Sequence, residues 1–312
     1  MTLRIGYLLP TREAIMEGRP EAGPLLGLAE RAEQLGYDSV WVGDSLLARP
    51  RHEPITLLAG VAGRTQRVRL GTAVLLPALR NPVLLAHQVA TLDQVSAGRV
   101  ILGIGIASDV PNIRAEFRSA GVPFEKRVGT LLEGMRLCKA LWSGRPVDWD
   151  GRWHVEQGVL GPTPHQPGGP PIWGGGSAPA ALERAARHFD GWFANGPDAQ
   201  RWGGQWREVQ AIAREAGRKP EDLEAAIYLT LTIDENSDRA EQRMNDFLSA
   251  YYGQRPDVLK KRQACFSGPA GAAAEWLNGY VQEGVRYLVL RFAGDPERHL
   301  ETIAKLRETL AP

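Results

Sequence analysis

Gly71-Thr72-Ala73-Val74-Leu75-Leu76-Pro77, followed by Leu92-Asp93-Gln94-Val95-Ser96-Ala97-Gly98-Arg99-Val100-Ile101-Leu102-Gly103-Ile104-Gly105, holds two apolar runs that each end in small or turn-forming residues. A helical pattern from Asn81-Pro82 to Ser96 joins them. A strand, a helix and a second strand with no hairpin turn between them form a parallel crossover unit, and such units bind ligands at the carboxyl ends of their strands.

The same alternation runs through the chain. Apolar runs at 3–9, 39–42, 68–75, 100–106, 171–174, 191–194, 225–233 and 287–292 read as strands covered on both faces. Helical patterns at 24–35, 54–64, 82–96, 125–142, 178–188, 200–216, 238–251, 269–283 and 296–310 lie between them. Pro24, Pro54, Pro82 and Pro296 stand in first turns, and Gly36, Gly217 and Gly284 fall just past helical runs, where a left-handed residue is needed. Eight strands alternating with helices predict an α/β fold, a (β/α)8 TIM barrel, as one domain over residues 1–312.

Residues 143–170 break the rhythm. The segment and its approach hold Trp142, Trp149, Trp153 and His154, and it leaves through Gly161-Pro162-Thr163-Pro164 and Pro167-Gly168-Gly169-Pro170. It is too long for an ordinary connection, so it reads as an insertion, either a small hairpin packed on the barrel or a mobile lid, and its tryptophans favour the packed form.

Composition narrows the partners. The 312 residues are 43% hydrophobic, with 37 basic and 36 acidic side chains for a net charge of +1, so no overall field attracts nucleic acid or an anionic membrane. The widely separated Cys138 and Cys265 suggest neither a disulfide nor a metal site. The chain enters a strand at once and no stretch matches a membrane span, which predicts a cytoplasmic protein acting on a small molecule.

A barrel gathers strand ends on one rim. Gly174-Gly175-Gly176-Ser177 leads straight into a helix, so free amides and a helix dipole converge there, as a phosphate cradle requires; a tight turn with Ser177 as N-cap is the plainer reading. Gly103-x-Gly105 lacks the third glycine and the later acid of a dinucleotide motif, and fits a flat ligand lying against the strand backbone. Residues 73–77 offer an apolar wall for a ring, with Thr72 at its edge, or else simply fill the barrel. Arg12, Arg49, Arg51, Arg80, Arg114 and Arg127 fall in or beside rim loops, where they either solvate the surface or meet an anion. His52 and His154 are proton-transfer candidates by position alone.

These residues resemble the bacterial luciferase-like oxidoreductases, which use a flavin or a deazaflavin. The likeness runs from Ile5-Gly6 through Ala29-Glu30-Arg31-Ala32-Glu33-Gln34-Leu35-Gly36-Tyr37-Asp38-Ser39-Val40-Trp41 and Arg69-Leu70-Gly71-Thr72-Ala73-Val74. It continues through the 91–105 stretch to Pro171-Ile172-Trp173-Gly174-Gly175-Gly176-Ser177 and Asp190-Gly191-Trp192. The resemblance implies a ring cofactor on Thr72, Ala73, Val74 and Leu75 and on Gly105, Ile106 and Ala107, with Asp44 beside it. It also implies the cofactor phosphate on Gly174, Gly175, Gly176 and Ser177, and a non-proline cis peptide between Ala73 and Val74. Two positions depart from the pattern. Asp44 is followed by Ser45 where many relatives have histidine, and Ile106-Ala107-Ser108 stands where several deazaflavin enzymes have an acid.

The expected activity is a flavin-dependent monooxygenase or oxidoreductase that takes reduced FMN from a separate flavin reductase and, with dioxygen, acts on a small organic substrate. Arg12, Arg51, His52 and Arg291 are the expected substrate or anion contacts, and no metal is expected. Hydride transfer with the deazaflavin coenzyme F420 is the first alternative, which a basic groove beside the phosphate turn would favour. A flavin-binding protein without turnover is the second. The resemblance also implies a homodimer.

Overall fold

The computed structural model describes residues 2–196 and 198–310. Its strands are β1 (Arg4–Leu8), β2 (Ser39–Val42), β3 (Arg69–Thr72), β4 (Val100–Ile104), β5 (Val147–Asp150), β6 (His154–Gly158), β7 (Ile172–Gly175), β8 (Gly191–Ala194), β9 (Glu224–Ile233), β10 (Cys265–Gly268) and β11 (Tyr287–Phe292). Eight of them pair in parallel in the order β1-β2-β3-β4-β7-β8-β9-β11, and β11 returns to β1. The ring therefore closes, as a (β/α)8 barrel requires.

Around it lie α1 (Thr11–Met16), α2 (Ala22–Gln34), α3 (Pro54–Arg64), α4 (Pro82–Val95), α5 (Pro111–Ser119), α6 (Arg127–Leu141), α7 (Pro179–His188), α8 (Ala199–Glu215), α9 (Ser237–Tyr252), α10 (Pro256–Lys260), α11 (Ala270–Gln282) and α12 (Pro296–Leu306). Several starts are written locally. Glu53 accepts the Thr56 amide ahead of Pro54, and Asn81 accepts the Val83 and Leu84 amides ahead of Pro82. Gly36, Gly217 and Gly284 adopt positive φ just beyond helices, as expected.

Aromatic side chains fill the barrel. Trp41 packs against Trp173 and Phe193 with ring centroids 5.4 and 5.3 Å away, and Tyr287 stands 5.0 Å from Trp173. These rings fit because the wall beside them is glycine. A Cβ on Gly71 would come within 2.1 Å of the Trp41 ring, and one on Gly103 within 2.1 Å of the Thr72 carbonyl oxygen.

The 143–170 insertion is the packed hairpin: β5 and β6 pair antiparallel. Trp149, Trp153 and Val155 pack on the core, Trp142 is buried and donates its indole N–H to the Ala86 carbonyl, and His154 is exposed beside Asp150. Four elements were not expected. Helices α1, α5 and α10 are short and carry few buried side chains, so they read as loops. Strand β10 is four residues long and pairs only with the far half of the ten-residue β9, beyond the point where β9 leaves β8. Among the described residues no helix is long and apolar enough to cross a membrane, and none form a metal-binding group of His, Cys, Asp or Glu. Both cysteines are free.

Candidate active site

A cavity of about 340 Å³ opens at the carboxyl ends of the barrel strands, the size of a small-molecule site. Its floor is Leu8 and Phe193, so the aromatic plug of the barrel is also the bottom of the pocket. Its walls divide into two arcs.

The first arc runs along β3, β4 and β7. Ala73, Val74, Gly105, Ile106 and Ala107 line the cavity, and the Ala73–Val74 peptide is cis. Thr72 and Leu75 belong to the wall itself: the Thr72 hydroxyl donates to the Gly103 carbonyl at 2.8 Å, and Leu75 is fully buried in a bridge to Ile104. Asp44 also lines the cavity, but its carboxylate is spent locally. It accepts the Leu76 amide at 2.8 Å and both Arg80 Nη groups at 2.6 and 3.0 Å, while Arg80 also reaches Glu53. Burial pulls the Arg80 pKa down, and these two acids outweigh it and raise it. Asp44 thus pins the end of β3 in place.

The turn after β7 is open where a capped helix would be closed. The N-cap of α7 is Ala178, which makes no side-chain cap, and the buried Ser177 hydroxyl has no partner. Gln205 holds the Ser177 carbonyl at 2.8 Å and Trp192 holds that of Gly176. Gly176 sits at φ +111°, a conformation a side chain would strain. A Cβ on Gly175 would meet the Ile104 carbonyl at 3.0 Å, and Gly174 packs against Phe189 behind the turn. Arg184, whose pKa is lowered by burial and then by Arg127, lines a small recess behind Gly174 and Gly175. Arg127 donates to the Ile106 carbonyl. An orphaned hydroxyl, glycines at close approach and two cations suit a cofactor phosphate.

The second arc is built from β11, β9, the segments that follow β1 and β2, and the end of α9. Arg51 and Arg291 line the cavity with Arg49, Tyr228, Tyr251 and Tyr252. Arg291 is 2% exposed, donates to the Thr230 hydroxyl at 3.0 Å and lies within 4.6–5.4 Å of four aromatic rings. Arg12 stands behind Tyr251, 4.9 Å from its ring, with Nε and Nη1 buried and unpartnered. His52 does not line the cavity; its Nε2 lies 2.8 Å from the Pro20 carbonyl. Ser45 does: its hydroxyl donates to buried Glu116 at 2.6 Å and accepts the Arg49 amide.

The structure therefore brings Asp44, Ala73, Val74, Gly105, Ile106, Ala107, Gly175, Gly176, Arg51 and Arg291 to one cavity. It sets Thr72, Leu75, Gly174, Ser177, Arg12 and His52 around it. The tyrosines, Phe193, Arg184 and Ser45–Glu116 were not anticipated as site residues. Tyr251 and Tyr252 end a helix whose pattern reads as ordinary amphipathicity.

Known proteins resemble this chain in sequence and in fold. The family model described as luciferase-like monooxygenase matches residues 3–311. The chain belongs to this family. It is 32% identical to the F420-dependent glucose-6-phosphate dehydrogenase of Gordonia bronchialis, over 90% of this chain and 91% of that one. It is 28% identical to the 5,10-methylenetetrahydromethanopterin reductase of Methanolobus tindarius, over 82% and 74%. In fold it is similar to an F420-dependent secondary alcohol dehydrogenase solved with an F420-acetone adduct, with a TM-score of 0.85, 19% identity and full coverage of both chains. This member of the luciferase-like family is an oxidoreductase, as its named relatives are.

Proposed function

We propose that this luciferase-like enzyme uses coenzyme F420 and moves a hydride between its deazaflavin ring and a small organic substrate. The observation that carries the choice is the pair of cations Arg127 and Arg184 close behind the open turn of Gly175, Gly176 and Ser177, positive charge that suits a deazaflavin's anionic tail. The F420 dependence of the sequence relatives supports it.

When bound, the coenzyme supplies the hydride-carrying ring carbon. The chain supplies the rest. Ala73, Val74, Ile106 and Ala107 form an apolar wall, and Gly105 and Gly175 keep the strand ends free of side chains at closest approach. Leu8 and Phe193 seal the floor against water. The Ser177 hydroxyl, the Ala180 amide and Arg184 would hold the phosphate; Pro179 opens α7 without an N–H, and the Ala181 amide is taken by the Ala178 carbonyl. Ser45 Oγ, whose proton is directed at Glu116, can accept a hydrogen bond from a substrate hydroxyl and so orient it, while the same Glu116 oxygen holds the Leu47 and Ala48 amides. Arg51 and Arg291 face the substrate, with Arg12 and His52 behind them.

The family description favours a second reading, a monooxygenase using reduced FMN delivered by a separate reductase. Anaerobic equilibrium dialysis of cofactor-free protein against F420 and FMN, each oxidised and reduced, separates the two. The proposal expects F420 to bind at least about tenfold tighter, a margin of about 1.4 kcal/mol. A preference for reduced FMN overturns it in favour of the second reading.

A further inference from the structure

We propose that the arc formed by Arg12, Arg49, Arg51 and Arg291 is the seat of a small organic anion, the negatively charged end of the substrate, separate from the site of the cofactor's phosphate. The proposal deepens the oxidoreductase reading above and rests on it only for the word substrate.

Charge bookkeeping is the first ground. Four guanidinium groups meet at this side of the mouth. Arg51 donates to the Arg49 carbonyl and Arg291 to the Thr230 hydroxyl, while Arg49 and Arg12 lie over the Tyr252 and Tyr251 rings. Among the described residues none of the four forms an ion pair, in contrast to Arg80, which pairs with Asp44 and Glu53. Glu13 faces Arg291, Arg51 and Arg12, and its pKa is raised by burial against their pull; Asp44, which also lines the cavity, is paired with Arg80. Arg291 is buried and the other three are half-buried at the mouth; aromatic faces attract guanidinium groups but do not neutralise them, and the buried charge is the costly one. A structure that keeps such a set at the mouth of a cavity is shaped for a ligand that brings the missing charge.

Construction is the second ground. A Cβ on Gly43 would come within 2.1 Å of Arg51 Nη1, so that glycine lets the guanidinium lie flat against the end of β2. Arg12 Nε and Nη1 are buried and bond nothing, donors held ready by the Tyr251 ring. Arg291 is fixed from both sides, by Thr230 on the neighbouring strand and by the rings of Tyr228, Phe247, Tyr251 and Tyr252. Arg51 and Arg291 line the cavity itself.

Position is the third ground. In the closed ring β7, which carries the turn, stands directly across from β1; Arg12 comes from α1 just after β1, Arg49 and Arg51 from the loop after the neighbouring β2, and Arg291 from the other neighbour, β11. A ligand held at the turn and lying on the β3 and β4 ends leaves this opposite arc to a second molecule. The ligand class is a compact carboxylate or phosphate, because guanidinium forks grip both in the same way.

The test is isothermal titration of the full chain, free of cofactor and at low ionic strength, with malonate and with inorganic phosphate. Malonate is expected to bind one site, to weaken at least about tenfold in Arg12→Gln/Arg51→Gln, to be unaffected by Arg184→Gln, and to bind equally well with F420 loaded. Phosphate is expected at two sites, one lost in each variant. Should the double variant fail to unfold cooperatively, Arg51→Gln alone and the decline of wild-type malonate affinity with added salt carry the test. The proposal is overturned if malonate gives no saturable heat, if Arg184→Gln abolishes its binding while the arc variant does not, or if F420 displaces it, which would make the arc a tail site. Failure of F420 to bind overturns the cofactor reading and leaves the malonate result standing.

Discussion

Arginine is used in two opposite ways on the two sides of the barrel mouth. On the β3 side Arg80 is gripped by Asp44 through two hydrogen bonds and by Glu53 through a third, and the set locks the strand end. On the β1 side Arg12, Arg49, Arg51 and Arg291 meet rings, a carbonyl and a hydroxyl, with Glu13 facing three of them and no ion pair among the described residues. The first arrangement is finished and resists change. The second holds no ion pair among the described residues, so pairing, rather than residue type, is what separates the two sides.

The comparison breaks first at Asp44. Asp44→Ala leaves Arg80, 13% exposed, without its main partner and frees the Leu76 amide, so stability should fall by about 3–5 kcal/mol in urea unfolding. A loss under about 1 kcal/mol would mean the β3 side is no more tightly bound than the other. Gly103→Ala comes next. Its Cβ would press on the Thr72 carbonyl and on Phe193, an overpacking expected to cost about 1–3 kcal/mol, and F420 affinity should fall with it. Unchanged unfolding and dialysis curves would show that the wall can yield.

Ser177→Ala tests the turn without touching the fold. The hydroxyl has no protein partner, so stability should stay within about 0.5 kcal/mol while F420 binding weakens by about tenfold in dialysis. Equal affinities would remove the serine from the phosphate site. The smallest effect belongs to Glu13. Burial chiefly raises its pKa, so the folded state holds that proton more tightly than the unfolded chain does. The stabilising difference is complete below the ordinary carboxylate value and fades as pH rises through the raised one. Above that window Glu13→Gln should be the more stable protein and should bind malonate roughly threefold tighter. Below it, the two proteins should converge. A gap that widens on acidification would place the carboxylate outside the arc.

Much of the fold was legible because each unit repeats the same local grammar. Proline or a side-chain cap opens helices such as α3 and α4, glycine in a left-handed conformation follows others, and continuous apolar runs mark strands buried on both faces. Strand β10 escaped because its four residues are neither continuous nor buried enough to stand out, and its only partner is an overhang of β9. At the site, the first arc was readable because it is built largely of glycines and strand backbone, and glycine leaves a mark in sequence. The second arc was half readable. Arg12, Arg49, Arg51 and Arg291 could be placed on the rim, but Tyr228, Tyr251 and Tyr252 reach them from β9 and the end of α9, segments remote in sequence. Likewise, nothing near Ser45 announces that its partner is Glu116 in α5, 71 residues later.

The aromatic plug has a practical consequence. Phe193 touches both the cavity and the indoles of Trp41 and Trp173, so those two chromophores lie one side-chain layer beneath whatever rests on the strand ends. A bound tricycle that absorbs where indole emits would drain their excitation, giving the enzyme an optical gauge of its own occupancy without any added label.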